Sequence, residues 1–142
     1  MTRLTAGLLA LLMGIPGYVR FAPGDPARWH VSIGPGPAEV ATAGSYTLRR
    51  PGTPDDLDRL AAIAADTPRT GRLAGSVEEG RITWVTRSAA FGFPDYTTAE
   101  VADGELRLFA RLRFGSGDFG VNRARVRSWL AELDAPVTPA EW

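Results

Sequence analysis

Cysteine is absent from this chain of 142 residues, as are lysine and glutamine, while asparagine occurs once, at Asn122, and histidine once, at His30. Without cysteine there is no disulfide, no thiolate nucleophile, no cysteine metal site and no lipid attachment at a cysteine. The absence leaves the compartment open. One histidine cannot assemble an ordinary zinc site, and it is the only histidine base that a serine or aspartate nucleophile could use. No metal and no cofactor is expected. The 16 basic residues, all arginine, balance 16 acidic ones, so the formal net charge is zero. No global field then draws the chain to nucleic acid, and no nucleic-acid partner is expected. Codon bias in a GC-rich genome explains the exclusive use of arginine. The sharper reading is selection for bidentate anion contacts, which arginine makes and lysine does not.

What is present points to one globular domain behind an apolar leader. Hydrophobic residues make up 44% and charged residues 23% of the chain, within the range of folded proteins. Arg3 precedes an apolar run over 4–19, interrupted only by Thr5, glycines and Pro16. As a helix this run spans roughly 24 Å, short of a hydrocarbon core of about 30 Å but near the lower limit for a tilted or snorkelling span. A secretory signal begins the same way. A cleavable signal needs small residues one and three places before the cut, but Gly14, Gly17 and Ala22 have Leu12, Ile15 and Arg20 at that offset, so residues 1–21 are read as an uncleaved signal anchor in preference to a cleaved signal peptide. A buried helix is the third possibility, disfavoured by Pro16-Gly17 and Pro23-Gly24. The expected location is the inner membrane, with the domain in the periplasm.

Residues 22–52 carry many prolines and glycines and read as a spacer, with at most a short strand over 45–49. The folded domain is expected over 53–136, with a tail at 137–142. Thr53 is placed to cap a helix that starts at Pro54, with Asp55 and Asp56 in its first turn and Leu57, Leu60, Ala61 and Ala64 on one face. Pro68 ends it. Strands are expected over 70–74, 81–87, 96–102 and 105–114, the last two joined by Asp103-Gly104, a type I′ hairpin signal. That turn sets Val101 opposite Leu106, Glu100 opposite Arg107, Ala99 opposite Leu108 and Tyr96 opposite Arg111. Apolar residues then meet on one face and Glu meets Arg on the other. A last helix over 119–133, capped by Asp118, places Asn122, Val126, Trp129, Leu130 and Leu133 on one face. The fold expected is α+β: a small antiparallel sheet packed against an N-terminal and a C-terminal helix, preceded by one hydrophobic N-terminal helix.

Gly115-Ser116-Gly117-Asp118-Phe119-Gly120 fits the dinucleotide fingerprint between a strand and a helix. No parallel strand with a ribose-binding acid follows, and Asp118 would face a pyrophosphate, so the glycines are read as a tight turn. The stripe Arg107, Phe109, Arg111, Arg113 is either a solvated face whose arginine stems cover apolar surface or an anion- or partner-binding face. Glu100 is expected to neutralise Arg107, leaving Arg111 and Arg113 uncompensated. Asn122 is read as a hydrogen-bonding hub holding the last helix to the loop Phe91-Gly92-Phe93, with ligand contact as the alternative. His30, beside Trp29, is read as packing or interfacial, with the Trp29 ring suited to a headgroup region.

Three blocks carry a family resemblance: Arg72-Leu-Ala-Gly-Ser-Val-Glu-Glu-Gly-Arg-Ile-Thr-Trp-Val-Thr-Arg-Ser, Phe91-Gly-Phe-Pro-Asp-Tyr-Thr-Thr, and Arg111-Leu-Arg-Phe-Gly-Ser-Gly-Asp-Phe-Gly-Val-Asn-Arg-Ala-Arg-Val. Over about residues 55–133 the chain resembles the bacterial domain-of-unknown-function family 1499. The resemblance implies an N-terminal signal or anchor and an envelope location, and it implies no activity. By position, the polar members of the family's motifs fall on Arg87, Asp95, Arg111, Asp118, Asn122 and Arg123. Two functions are carried forward. The first is a membrane-tethered, non-enzymatic module that binds an amphiphilic anion, a lipid or an acidic protein through Arg87, Phe91, Phe93, Tyr96, Phe109, Arg111 and Arg113. The second is a hydrolase-like enzyme using Asp95 and Asp118 with Arg111 and Arg123. A closed pocket joining Asp95, Asp118 and Arg111 would favour the enzyme, and a flat exposed stripe the binding module.

Overall fold

The computed structural model describes residues 7, 14, 15 and 17–137. Six strands form one antiparallel sheet: β1 Glu39–Ala41, β2 Ser45–Pro51, β3 Thr70–Ser76, β4 Arg81–Arg87, β5 Pro94–Ala102 and β6 Glu105–Leu112, in the order β1-β2-β6-β5-β4-β3. The helices are the single turn α1 Pro26–Trp29, then α2 Pro54–Asp66 and α3 Val121–Asp134. Helices α2 and α3 pack together on one face of the sheet, giving the two-layer α+β architecture that the hydrophobic periodicity implies. Most of the expected anchor, and the tail over 138–142, lie outside the described residues. Residues 17–21 are helical. Among the described residues no helix is long and apolar enough to cross a membrane.

The hairpin forms in the register its turn dictates. Ala102 pairs with Glu105, Val101 with Leu106, Glu100 with Arg107, Ala99 with Leu108, Thr98 with Phe109 and Tyr96 with Arg111. Asp103 and Gly104 both take left-handed backbone angles, φ 54° and 74°, as a type I′ turn requires. Helix α2 starts where its capping signals lie: the Asp56 carboxylate accepts the Thr53 N–H at 2.8 Å and its hydroxyl at 3.1 Å. Leu57, Leu60 and Ala64 are fully buried against Ile82, Leu106 and Leu108 of the sheet and Val126, Trp129 and Leu133 of α3. Trp84 and Trp129 meet edge to face at 5.4 Å, and Trp129 Nε1 donates to Thr67 Oγ1. Helix α3 begins at Val121 rather than 119, because Phe119 and Gly120 both adopt left-handed angles, φ 53° and 79°. Asp118 still serves the first turn: its carboxylate accepts the N–H of Gly120 at 2.9 Å and of Asn122 at 3.1 Å.

Residues 22–52 are built into the domain and do not form a free spacer. Strand β2 lies inside the sheet, paired from Ser45↔Arg111 to Pro51↔Glu105, with β1 on its outer side. Residues 22–37 form a strap across the sheet face opposite the helices. The Trp29 ring, buried, stacks on Tyr96 at 4.0 Å between centroids and 9° between planes. His30 bridges Thr83 Oγ1 at 2.9 Å and Glu79 Oε1 at 2.8 Å. The Ile33 N–H and the Ser32 hydroxyl donate to Glu100, and Arg49 donates to the Gly34 and Pro37 carbonyls. Gly75, at φ 89°, admits the His30 ring: a Cβ there would lie 2.6 Å from its Cε1 and 2.0 Å from the Arg81 carbonyl oxygen. Proline and glycine let this segment follow the sheet as a strap, and side chains from strands distant in sequence hold it down.

Candidate functional site

The arginine stripe of β6 is not an open face. Arg107 is buried, with Glu105 at 2.9 Å, Asp103 at 3.4 Å and Glu100 at 3.8 Å. Glu100 is engaged more closely by Arg81, at 2.8 Å, than by Arg107. The Arg111 guanidinium lies 4.6 Å from the Trp29 ring and 4.9 Å from the Phe109 ring, and donates to the Arg28 carbonyl at 3.3 Å. Burial, with Arg28 nearby, pulls Arg111 below the usual arginine value. Arg113 donates to the Pro23 carbonyl at 2.7 Å and meets the Tyr96 hydroxyl at 3.2 Å. The strap thus takes Arg111 and Arg113 as hydrogen-bond donors, while Arg107 is held by the carboxylates of the hairpin. Alternation along β6 placed these residues on one face, but it carried no information about what lies over them.

A second group of the expected site residues converges at the other edge of the molecule. Asn122 is fully buried; its Nδ2 donates to Asp118 Oδ2 at 2.6 Å and its Oδ1 accepts from Arg125 Nη1 at 2.7 Å. The partners are therefore Asp118 and Arg125, not the backbone of the 91–93 loop. Arg125 Nη2 lies 3.6 Å from Asp95 Oδ2, and both side chains are largely shielded. Burial raises the Asp95 carboxyl above its ordinary value against the pull of Arg125, and burial likewise depresses Arg125 against the pull of Asp95. One chain of polar contacts therefore links Asp118 through Asn122 and Arg125 to Asp95, tying the start of α3 to the start of β5. Arg125 was not among the candidates from sequence. Its spacing of three from Asn122 on a helix was the available signal.

Asp95 and Asp118 also lie in the wall of an open groove of about 370 Å³ between the 88–93 loop and the turn that follows β6. The rest of the wall is apolar, chiefly Phe91, Phe93, Leu112, Phe114, Phe119 and Val121. Phe91 is 65% exposed, Phe93 43% and Phe119 fully. Phe91 and Phe93 stack at 5.6 Å, and Phe114 meets Tyr18 of the N-terminal segment edge to face at 6.4 Å. Phe119 and Val121 were not picked out as site residues from sequence. Asp118 and Asp95 do not converge with Arg111, which lies under the strap. Arg123 points to Glu39 at 3.3 Å and stacks its guanidinium 5.7 Å from the Tyr46 ring. Arg87, on the other side of the loop, donates to the carbonyls of Gly92 at 3.1 Å and Ala22 at 3.3 Å.

No curated protein matches the chain. The pattern of a family described as protein of unknown function, DUF1499, matches residues 36–133, from just before β1 to the end of the α3 core. It takes in both sides of the groove, Asp95, Asp118, Asn122 and the sheet beneath the strap, and on that match the chain belongs to the DUF1499 family.

Proposed function

We propose that this domain is a non-enzymatic binding module that seats the apolar portion of an amphiphile in the groove between the 88–93 loop and α3. The observation that carries the reading is the cluster of exposed rings around an apolar groove. Exposed apolar surface gathered in one concave place marks interaction sites, whereas single exposed residues are ordinary. The groove is open, so a ligand with one end in water fits it better than a fully enclosed one. Tyr18, Ile15 and Phe21 of the N-terminal segment are exposed as well, and Tyr18 touches the groove residue Phe114. The apolar run over 4–19 supports a module held beside a membrane by residues 1–21, with the domain in the periplasm.

The full chain, held in uncharged maltoside micelles, is titrated with the short-chain lipid dihexanoyl phosphatidylcholine. Saturable binding is expected, weakened by Phe91→Asp or Phe119→Asp in protein whose circular dichroism is unchanged. Binding that these variants leave intact would overturn the groove as the site. For the tether, fractionation of cells carrying a C-terminally tagged chain should return it with the inner membrane at full length. A shortened soluble periplasmic product would remove the anchor, and cytoplasmic protein would remove export.

A further inference from the structure

On the far side of the 88–93 loop lies a second depression, of about 420 Å³, lined by Arg20, Phe21, Arg69, Arg87, Ser88 and neighbouring small residues. Its wall contains three arginines and no acidic residue. Among the described residues none of the three arginines has an acidic side chain within ion-pair distance, and the Arg87 guanidinium is engaged by main-chain carbonyls, among them those of Gly92 and Ala22. The positions are set by the fold. Arg69 and Arg87 close the outer end of the β3–β4 pair reciprocally: the Arg87 N–H donates to the Arg69 carbonyl and Arg69 Nε donates to the Arg87 carbonyl, both at 3.0 Å. That leaves the terminal nitrogens of Arg69 without a partner among the described residues. Arg69 holds this place at φ 56°, a left-handed angle that costs a non-glycine residue about 1 kcal/mol or more. Arg20 packs over Gly92, where an added Cβ would lie 3.0 Å from its Cγ. Ser88 Oγ accepts the Phe93 N–H at 3.0 Å, so its hydroxyl proton is free to donate outward.

We propose that Arg20, Arg69 and Arg87, with the Ser88 hydroxyl, bind the phosphate headgroup of an anionic lipid. Three arginines lining one depression offer positive charge without a carboxylate in its wall, and a multiply charged oxyanion is the ligand whose oxygens match planar guanidinium forks. The groove cannot serve the same end of the ligand, because Asp95 and Asp118 line it. The loop 88–93 is the wall shared by the two depressions, since Ser88 lines both. An amphiphile lying across this loop therefore meets apolar rings on one side and cations on the other. The inference rests on the groove reading for the tail and on the arginines alone for the headgroup.

Calorimetric titration of the full chain in maltoside micelles tests it with three probes: dihexanoyl phosphatidic acid, dihexanoyl phosphatidylcholine and inorganic phosphate. Phosphatidic acid is expected to bind at least about tenfold tighter than phosphatidylcholine, and more weakly as salt rises. Arg20→Glu and Arg69→Glu should each cost about tenfold for phosphatidic acid and clearly less for phosphatidylcholine, whose phosphodiester carries one charge beside a choline cation. Arg87 is spared in these variants because it also holds the Gly92 and Ala22 carbonyls. Equal affinity for the two lipids, or Arg variants without effect, overturns the headgroup site while leaving the groove reading standing. Inorganic phosphate binding as tightly as phosphatidic acid overturns the lipid assignment in favour of a free anion. Failure of both lipids overturns the two readings together.

Discussion

Strand β6 shows two kinds of burial on one backbone. Leu106, Leu108 and Ala110 face α2 and α3 and are wholly removed from water by apolar contact. Arg107, Phe109 and Arg111, on the alternate positions, lie on the strap side: Arg107 is buried among carboxylates, and Phe109 and Arg111 are half-buried by ring stacking and a carbonyl acceptor. The helix side depends on area buried, which is insensitive to direction. The strap side depends on particular partners at particular distances, so loss of one partner strands the other. The helix side is accordingly expected to set whether the chain folds, and the strap side whether residues 22–37 stay attached once it has.

The largest effect should come from the apolar face. Leu108→Ala removes a fully buried side chain and is expected to cost about 2–5 kcal/mol in urea denaturation, lowering every part of the domain together. Trp29→Ala should cost less, about 2–3 kcal/mol, through lost burial and the lost stack on Tyr96. Its signature is local: hydrogen exchange should accelerate at 28–34 and remain slow in α2 and α3. If both regions lose protection equally, the strap is part of the global unit and the contrast between the faces fails.

The Asn122 cluster adds a polar device on the helix side, and it sharpens the comparison. Asn122→Leu leaves Asp118 without its 2.6 Å donor and Arg125 without its acceptor, for an expected loss of about 1–3 kcal/mol in thermal or urea unfolding. A neutral or stabilising result, with lipid binding reduced, would make Asn122 a ligand contact instead.

Acid should act on the strap through Glu100. Burial alone would raise this carboxyl, but Arg81, the Ile33 N–H and the Ser32 hydroxyl outweigh it and hold the carboxyl below its ordinary value of 4.5. A carboxyl depressed in the folded state contributes stability that is fully present above its unfolded value and is lost as pH falls through the folded one. The Ile33 amide should therefore lose protection below about pH 4.5, and Glu100→Gln should remove that transition. Asp95 works in the opposite sense. Its raised carboxyl favours folding while protonated, so its contribution declines as pH rises from 3.8 through the folded value. The smallest effect belongs to the exposed pair of Arg50 and Asp134, two hydrogen bonds at 2.6 and 2.8 Å: Arg50→Ala should cost under about 1 kcal/mol and lose its effect at high salt.

Local chemistry made parts of this molecule legible before any coordinates. Asp103-Gly104 fixed a hairpin register because two left-handed residues admit one strand geometry, and Thr53 to Asp56 marked a helix start because those side chains satisfy its free N–H groups. The buried face of α3, from Asn122 to Leu133, followed from its periodicity. What escaped was non-local. Strand β2 was legible only as a short strand over 45–49 at the end of a spacer; its place inside the sheet is set by β6, some sixty residues on. The arginines of β6 looked free because the strap over them comes from about eighty residues earlier. Within the site, Asp95, Asp118, Phe91 and Phe93 were named as candidates, but Arg20 and Arg69 were not. They are brought together by the end of a strand pair and by the helical segment before the strap, which no single window contains.

The path of the strap also decides how the domain would bear a load. Arg87 holds the Ala22 carbonyl, Arg113 the Pro23 carbonyl and Arg111 the Arg28 carbonyl, one after another along residues 22–28. Tension applied at the N-terminal end reaches these bonds in sequence, so they yield singly, as in peeling, before any of the sheet's paired strands is sheared. Full release of 22–37 would lengthen the connection by up to about 50 Å of extended chain. Single-molecule pulling from the N-terminal end is expected to show the strap detach as an early lengthening, ahead of rupture of the six-stranded sheet.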